Sequence, residues 1–181
     1  MRDYDFSIIN KTTLSFFVLR VFTMFLVFVQ PLNYTFVLSI YILSILMDSL
    51  DDNVIELSTN QRLLFENKSL INAYTLMDKV TDFLVNIIML FWASQYLPLF
   101  YKPLLLFQGY RLIGLIAFLL LKQKELLVLF PEINRYLLLI TLSLMAFNVT
   151  IIPGMINFLV MISLASAFVT EVIIHLLEPK F

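Results

Sequence analysis

Six long apolar runs constrain the fold of this 181-residue chain more than any other feature. A helix needs about 20 consecutive apolar residues to cross the hydrocarbon core of a bilayer, whereas barrel strands would alternate apolar with polar residues. We therefore predict an all-α integral membrane protein that forms a single domain, residues 1–181, with six transmembrane helices and a short interfacial N-terminal segment. The predicted helices cover residues 13–30, 34–52, 73–97, 101–121, 135–152 and 155–177.

The composition agrees with a membrane protein and excludes several other classes. Hydrophobic residues make up 61% of the chain, and its mean hydropathy is +0.93, which no soluble domain of this size shows. The net charge of −1 gives no bulk attraction for nucleic acid, so we predict no nucleic-acid partner. The chain has no cysteine, which excludes disulfides and cysteine metal sites.

The prolines are predicted to separate the helices, because a proline inside a helix removes a backbone hydrogen bond. The longest predicted loops are the polar stretches 53–72 and 122–134. All six prolines are taken to fall between or beyond the apolar runs, at Pro31, Pro98, Pro103, Pro131, Pro153 and Pro179.

The basic residues predict the orientation in the membrane, because cytoplasmic loops carry an excess of lysine and arginine. If six helices cross the membrane in alternating directions, only Lys102 among the basic residues at the helix ends flanks one side, and the others flank the opposite side. We therefore predict that both termini and the two long loops are cytoplasmic. The residues that flank the cytoplasmic side are Arg2, Lys11, Arg62, Lys68, Lys122, Lys124, Arg135 and Lys180.

Two pairs of aspartates stand at the ends of neighbouring apolar runs. Asp48 and Asp51 are three residues apart, and Asp78 and Asp82 are four apart, so each pair lies on one helix face. One carboxylate at the bilayer centre costs about 2.5–3.5 kcal/mol, and like charges on one face repel. With no matching cluster of basic residues, we predict one or two divalent ions there, Mg²⁺ or Mn²⁺, which prefer oxygen ligands. The alternative is a set of solvated acids at helix ends.

The aspartate spacing resembles the motif of the CDP-alcohol phosphatidyltransferases, D-x-x-D-G-x-x-A-R followed by G-x-x-x-D-x-x-x-D. Residues 41–51 resemble the first half, and residues 74–82 resemble the second half. The segment from Asn10 to Leu14, followed by Arg20, resembles the residue types of that family's N-terminal P-N-x-L-T-x-x-R without matching its spacing. The specific match covers about 40 residues, from the end of the second helix to the start of the third.

The resemblance implies a membrane enzyme that transfers a phosphatidyl group from a CDP-linked lipid to a small hydroxyl-bearing acceptor and releases CMP. In such an enzyme Asp48, Asp51 and Asp78 would bind Mg²⁺ or Mn²⁺ that holds the CDP diphosphate. Asp82 would complete the metal site and act as the general base on the acceptor hydroxyl. The resemblance also implies a homodimer, for which helices 3 and 4 with Trp92 are the expected interface.

The chain also departs from that pattern, which keeps other functions open. The gap between Asp51 and Asp78 is longer than the pattern allows. One alternative is a diverged relative with altered or lost chemistry. Others are a cation transporter that uses the aspartate cluster, and a structural or assembly protein without a ligand. The residues that replace the motif's Gly, Ala, Arg and second Gly are Asp52, Ile55, Glu56 and Tyr74.

Other polar residues within the apolar runs are further candidates. Arg111 lies in the middle of a run, where a cation is expensive; it either binds a substrate phosphate or pairs with one of the aspartates. Arg135 is a weaker substrate-binding candidate, because a long side chain at a helix end can simply reach the interface. Glu171 and His175 are four residues apart and are interpreted as a local ion pair.

Overall fold

The computed structural model describes residues 10–59, 68–121 and 129–177, and within these ranges it contains six α-helices and no β-strand. The prediction of an all-α protein is therefore confirmed. The predicted interfacial segment, residues 1–12, falls almost entirely outside the described residues. The helices are α1 (Lys11–Met24), α2 (Tyr34–Thr59), α3 (Lys68–Tyr96), α4 (Pro98–Leu121), α5 (Ile133–Ala146) and α6 (Ile156–Leu177).

Four stretches among the described residues are long and apolar enough to cross a membrane. The α3 helix has 29 residues but carries Asp78, Lys79 and Asp82 within its length. The α5 helix has only 14 residues, which at about 1.5 Å per residue is shorter than a hydrocarbon core of about 30 Å. The four stretches are Lys11–Phe28, Tyr34–Asp51, Pro98–Leu121 and Pro153–Ile173.

The helices around the predicted loop 53–72 extend beyond their apolar runs. The α2 helix continues to Thr59 instead of ending at residue 52, and α3 already begins at Lys68 instead of residue 73. The predicted boundaries were wrong here because hydropathy marks where a helix leaves an apolar environment, and polar residues can continue the same helix.

The α5 helix ends earlier than predicted, at Ala146 instead of residue 152. Asn148 adopts a left-handed backbone conformation with φ of 59°. The Val149 N–H then donates to the carbonyl of Leu144, and the Asn148 N–H donates to that of Met145. These two bonds form a Schellman motif, in which asparagine is one of the few residues that tolerate the required conformation.

Pro103 does not separate two helices, so its predicted position was wrong. It lies inside α4, which begins five residues earlier at Pro98. Proline fixes a φ angle that a helix accepts, and neighbouring helices in a membrane protein can satisfy the carbonyl group that loses its donor.

The helices pack around α1 and α5. The α1 helix contacts both α2 and α3, the α5 helix contacts α2, α4 and α6, and α3 contacts α4. Trp92 is completely buried in the chain's own core, with its ring centroid 5.8 Å from that of Tyr96 and 6.3 Å from that of Tyr34. The expectation that Trp92 forms a dimer interface is therefore wrong.

A chain of amide hydrogen bonds links α3, α4 and α5. The Asn134 side chain on α5 donates to the Leu104 carbonyl and to the Gln108 side chain, both on α4 and both at 3.0 Å. Gln108 in turn donates to the Phe83 carbonyl on α3 at 3.3 Å. These contacts fix the start of α5 against α3 and α4, next to the aspartates.

We expect Gly114→Ala to destabilise the fold by about 1–3 kcal/mol, because overpacking forces neighbours out of place. A β-carbon at Gly114 would overlap the Phe130 side chain, whereas one at Gly109 would meet no heavy atom within 4 Å. Gly109→Ala on the same helix is therefore the matched control, with an expected gain of about 0.5–1 kcal/mol. Thermal unfolding in detergent tests this difference; equal melting temperatures for the two variants would contradict it.

Candidate functional site

Three of the four predicted aspartates converge where α2 and α3 both lie against α1. Asp48 comes from α2, and Asp78 and Asp82 come from successive turns of α3. One carboxylate oxygen from each of the three lies within 4.8 Å of the others. Asp78 and Asp82 are buried, and the Asp48 side chain is 17% exposed. This separation suits several oxygen ligands around one cation.

Asp51 lies on the same helix as Asp48 but outside the group of three. It is buried, and its carboxylate accepts a 2.8 Å hydrogen bond from the Tyr74 hydroxyl of α3. Tyr74 is the residue at the position of a motif glycine. The structure thus joins one predicted metal ligand to a neighbouring helix through a residue that departs from the motif.

Arg20 of α1 lies at the centre of the aspartate group. Its side chain is only 3% exposed. Its two terminal nitrogens lie 2.7 Å from Asp48 Oδ1 and 2.5 Å from Asp82 Oδ1, and one of them is 3.7 Å from Asp78 Oδ1. A planar guanidinium with several donors is well suited to hold more than one carboxylate. Arg20 is therefore the residue that joins α2 and α3 through α1.

Two further cations contact the same carboxylates. Lys79 Nζ lies 2.6 Å from Asp78 Oδ2 and 3.3 Å from Asp82 Oδ2. Arg135, in the first turn of α5, donates to Asp48 Oδ2 at 2.8 Å. The structure thus brings the weaker candidate Arg135 into the site. The expectation that no basic cluster matches the aspartates is wrong, because its members come from three different helices.

Arg111 pairs with Glu132 rather than with an aspartate, so that alternative for Arg111 was wrong. Its guanidinium donates to the Phe130 carbonyl and lies 3.3 Å from Glu132 Oε1. The other Glu132 oxygen is 3.8 Å from Arg135. Burial and the negative charge of Asp82 raise the pKa of Glu132 to about 7. Glu132 was not singled out from the sequence, although an acid directly before an apolar run that carries an arginine is such a signal.

Acids and bases balance in this ion-paired network. Within the part of the chain that the structure describes, the contacts above connect four carboxyl groups with four cations. If all of them are ionised, the network has no net charge. Its members are Asp48, Asp78, Asp82 and Glu132 on one side and Arg20, Lys79, Arg111 and Arg135 on the other.

A cavity about the size of one water molecule lies directly beside the aspartate group. Arg20, Asp82, Ser44 and Asn86 are among the residues that line it. Ser44 Oγ and Asn86 Oδ1 are buried, and neither has a hydrogen-bond partner within the described residues. Buried polar atoms of this kind usually bind a water molecule or a ligand group.

Some of the residues noted in the sequence analysis have no described side chain. The side chains of Asp52, Glu56 and His175 are not among those that the structure describes, so the interpretations of these residues are not tested by it. The predicted pair of Glu171 with His175 therefore stays a prediction.

The structure is thus a helical bundle with four stretches long and apolar enough to cross a membrane and a buried acid–base cluster between α1, α2, α3 and α5. Comparison with protein-family models, curated proteins and solved structures finds no match for this chain.

Proposed function

We propose that this chain is a membrane phosphatidyltransferase of the CDP-alcohol type. It transfers a phosphatidyl group from a CDP-linked lipid to a small hydroxyl-bearing acceptor, releases CMP and depends on Mg²⁺ or Mn²⁺. The observation that supports this proposal most is the convergence of Asp48, Asp78 and Asp82 within 4.8 Å beside a cluster of cations. Carboxylates for a metal and cations for phosphates are the two groups that phosphoryl transfer requires.

The donor set fits a hard divalent cation. Asp48, Asp78 and Asp82 offer only oxygen ligands, which Mg²⁺ and Mn²⁺ prefer. Asp78 Oδ1 is buried and accepts no hydrogen bond within the described residues. This oxygen can therefore bind a cation without the loss of a hydrogen bond. The bound ion would neutralise the substrate phosphates and the charge that develops on the departing CMP.

The protein's own groups would position the substrates and move one proton. The acceptor oxygen forms a bond to the phosphorus of the phosphatidyl group, and the bond from that phosphorus to the bridging oxygen breaks. CMP leaves with the electron pair of the broken bond. Asp82 takes the proton of the acceptor hydroxyl, which requires hydrogen-bond reach between the two groups.

Arg135 is better placed than Arg111 to bind a substrate anion. The Arg135 side chain is 27% exposed and contacts the aspartate group directly. The Arg111 side chain is 7% exposed and is held by Glu132 and the Phe130 carbonyl. We therefore propose Arg135 as the primary phosphate contact, and Arg111 as a contact only if Glu132 releases it.

Purified protein with labelled CDP-diacylglycerol, Mn²⁺ and a panel of acceptors tests the proposed reaction. The acceptors are inositol, glycerol phosphate, serine, choline and ethanolamine. We expect CMP release that requires one of these acceptors and stops when EDTA removes the metal. If no acceptor supports CMP release above the protein-free rate, the proposed enzyme activity is wrong.

The charge balance of the network favours a diverged relative without catalysis as the second candidate. Four cations can neutralise four acids without any metal, and Glu56 stands where the motif has an arginine. Binding of Mn²⁺ and CDP without CMP release would support this candidate. A cation transporter stays an alternative, because its acids should lie near the bilayer midplane, and Asp48 and Asp82 lie near the middle of α2 and α3 rather than at the predicted helix ends.

We propose that both termini and the connection between α2 and α3 face the cytoplasm, in a six-span homodimer. Single cysteines can test the orientation, because the chain has none. Leu57, near the end of α2, is 85% exposed, and Leu32, between α1 and α2, is 70% exposed. We expect an impermeant thiol reagent to label Leu57→Cys only from the cytoplasmic side and Leu32→Cys only from the opposite side. The reverse labelling pattern would contradict the orientation.

A further inference from the structure

The charges of the ion-paired network bear on whether a metal and an anion bind alone or together. The network has no net charge when its eight groups are counted as ionised. A divalent cation that enters alone would add two uncompensated charges to a buried site, and a phosphate dianion alone would add the opposite charge. Both steps are costly in a medium of low dielectric constant. A divalent cation and a dianion that bind together leave the net charge of the site unchanged.

Two buried atoms of the network point to the same pair of ligands. Asp78 Oδ1 accepts no hydrogen bond, and Arg20 Nε donates none, within the described residues. The first atom is a ligand for a cation, and the second is a donor for an anion. The cavity next to Arg20 and Asp82 also contains Ser44 Oγ and Asn86 Oδ1, which are buried without partners. Polar atoms buried in this way need a partner, and the cavity has room for one water molecule that could join them to a bound ligand.

The existing contacts also show what must change when a metal binds. Arg20 lies 2.7 Å from Asp48 and 2.5 Å from Asp82, and Arg135 lies 2.8 Å from the other Asp48 oxygen. A metal can take these oxygens only if the guanidinium groups move away from them. Guanidinium groups bind phosphate oxygens with the same bidentate geometry as carboxylates, so a phosphate ligand offers them new partners.

We propose that Arg20 couples the binding of a divalent cation at the aspartates to the binding of the diphosphate, because it moves from the aspartates to the phosphate when both ligands bind. The proposal rests on the proposed function, because the CDP group supplies the diphosphate. It also assigns Arg20 a role that sequence spacing did not show. By linkage, each ligand raises the affinity for the other by the same factor, which for coupled sites is about 5- to 150-fold.

Equilibrium dialysis of the wild-type protein in detergent measures this coupling directly. Labelled CDP is dialysed with Mn²⁺ or with EDTA, and Mn²⁺ is dialysed with CDP, with cytidine or with no addition. Only ligand retained above the protein-free chamber is counted, so metal–nucleotide complexes in solution cancel. We expect CDP to be retained at least about 5-fold more tightly with Mn²⁺, and Mn²⁺ retention to rise with CDP but not with cytidine.

Variants assign the coupling to Arg20. Arg20→Gln removes one cation from the network, so we expect it to bind Mn²⁺ without CDP more tightly than wild type does. Lys102→Gln, at an exposed position near the start of α4 and outside the network, should behave like wild type. If Arg20→Gln does not fold, the measurements on the wild-type protein still decide whether Mn²⁺ and CDP bind cooperatively. Arg20→Lys then takes the place of Arg20→Gln in testing whether Arg20 causes this cooperativity. Arg20→Lys keeps the positive charge but lacks the planar guanidinium that can contact two oxygens at once. The factor by which CDP raises the affinity for Mn²⁺ should therefore fall towards one.

Two results would overturn the inference. The first is that Mn²⁺ binds with the same affinity whether or not CDP is present, which is the result expected of a metal site or cation transporter that does not use phosphate. The second is that the protein binds neither Mn²⁺ nor CDP. CMP release without coupled binding would refute the inference alone. Coupled binding without CMP release would refute the enzyme activity and leave the coupled site in place.

Discussion

Asp82→Asn should lower the rate of CMP release by about 10²- to 10⁴-fold, which is the usual contribution of a general base. Asparagine has the same shape as aspartate and can still accept a hydrogen bond from Arg20 through its amide oxygen. It cannot take a proton from the acceptor hydroxyl. The variant should still fold but be less stable than wild type, because Arg20 and Lys79 lose one charged partner, and the catalytic step should be lost. Initial rates of CMP release at saturating CDP-diacylglycerol, with melting temperatures measured in parallel, give both quantities.

Glu171→Gln is the matched control for this variant. It makes the same acid-to-amide change on α6, and Glu171 is partly buried there without belonging to the network. Its rate should equal that of wild type. Asp78→Ala should lose both metal binding and CMP release, because it removes a proposed ligand. If Asp82→Asn releases CMP at the wild-type rate, Asp82 is not the base even when the reaction itself is correct.

The sequence predicted the helices better than it predicted their ends. Apolar runs identify helices reliably, because every backbone group in a membrane must find a partner within the same segment. Helix ends depend on local chemistry that hydropathy does not report. The left-handed Asn148 ends α5 early, and polar residues carry α2 on to Thr59.

Helical spacing was sufficient to predict that Asp78 and Asp82 lie together. It could not predict that Arg20 lies between them and Asp48, since Asp82 is 62 residues away along the chain. That contact depends on how α1 packs against α2 and α3. The sequence nevertheless contains a signal for Arg20, because a single cation inside an apolar run needs an acid or a polar cavity as its partner. The same rule drew attention to Arg111, whose partner Glu132 was hidden in a predicted loop.

Arg20→Gln should lower the free energy of unfolding by about 3–5 kcal/mol when no metal or nucleotide is present. Removing one partner of a buried ion pair leaves uncompensated charge, and this is among the most damaging single changes. Arg20 is 3% exposed and contacts aspartates from two helices, so the loss loosens α1, α2 and α3 together. Thermal unfolding in detergent with EDTA measures the effect, with the fluorescence of the single, fully buried Trp92 as the signal.

Two further variants separate charge from packing in this effect. Lys11→Gln removes a cation from the exposed start of the same helix and should change stability by no more than about 0.5 kcal/mol. The double variant Arg20→Gln with Asp82→Asn removes one charge of each sign, so the network is neutral again. We expect it to be more stable than Arg20→Gln alone, because the cost comes from unpaired charge. If Arg20→Gln unfolds at the same temperature as Lys11→Gln, the ion pairs do not hold this end of the bundle together.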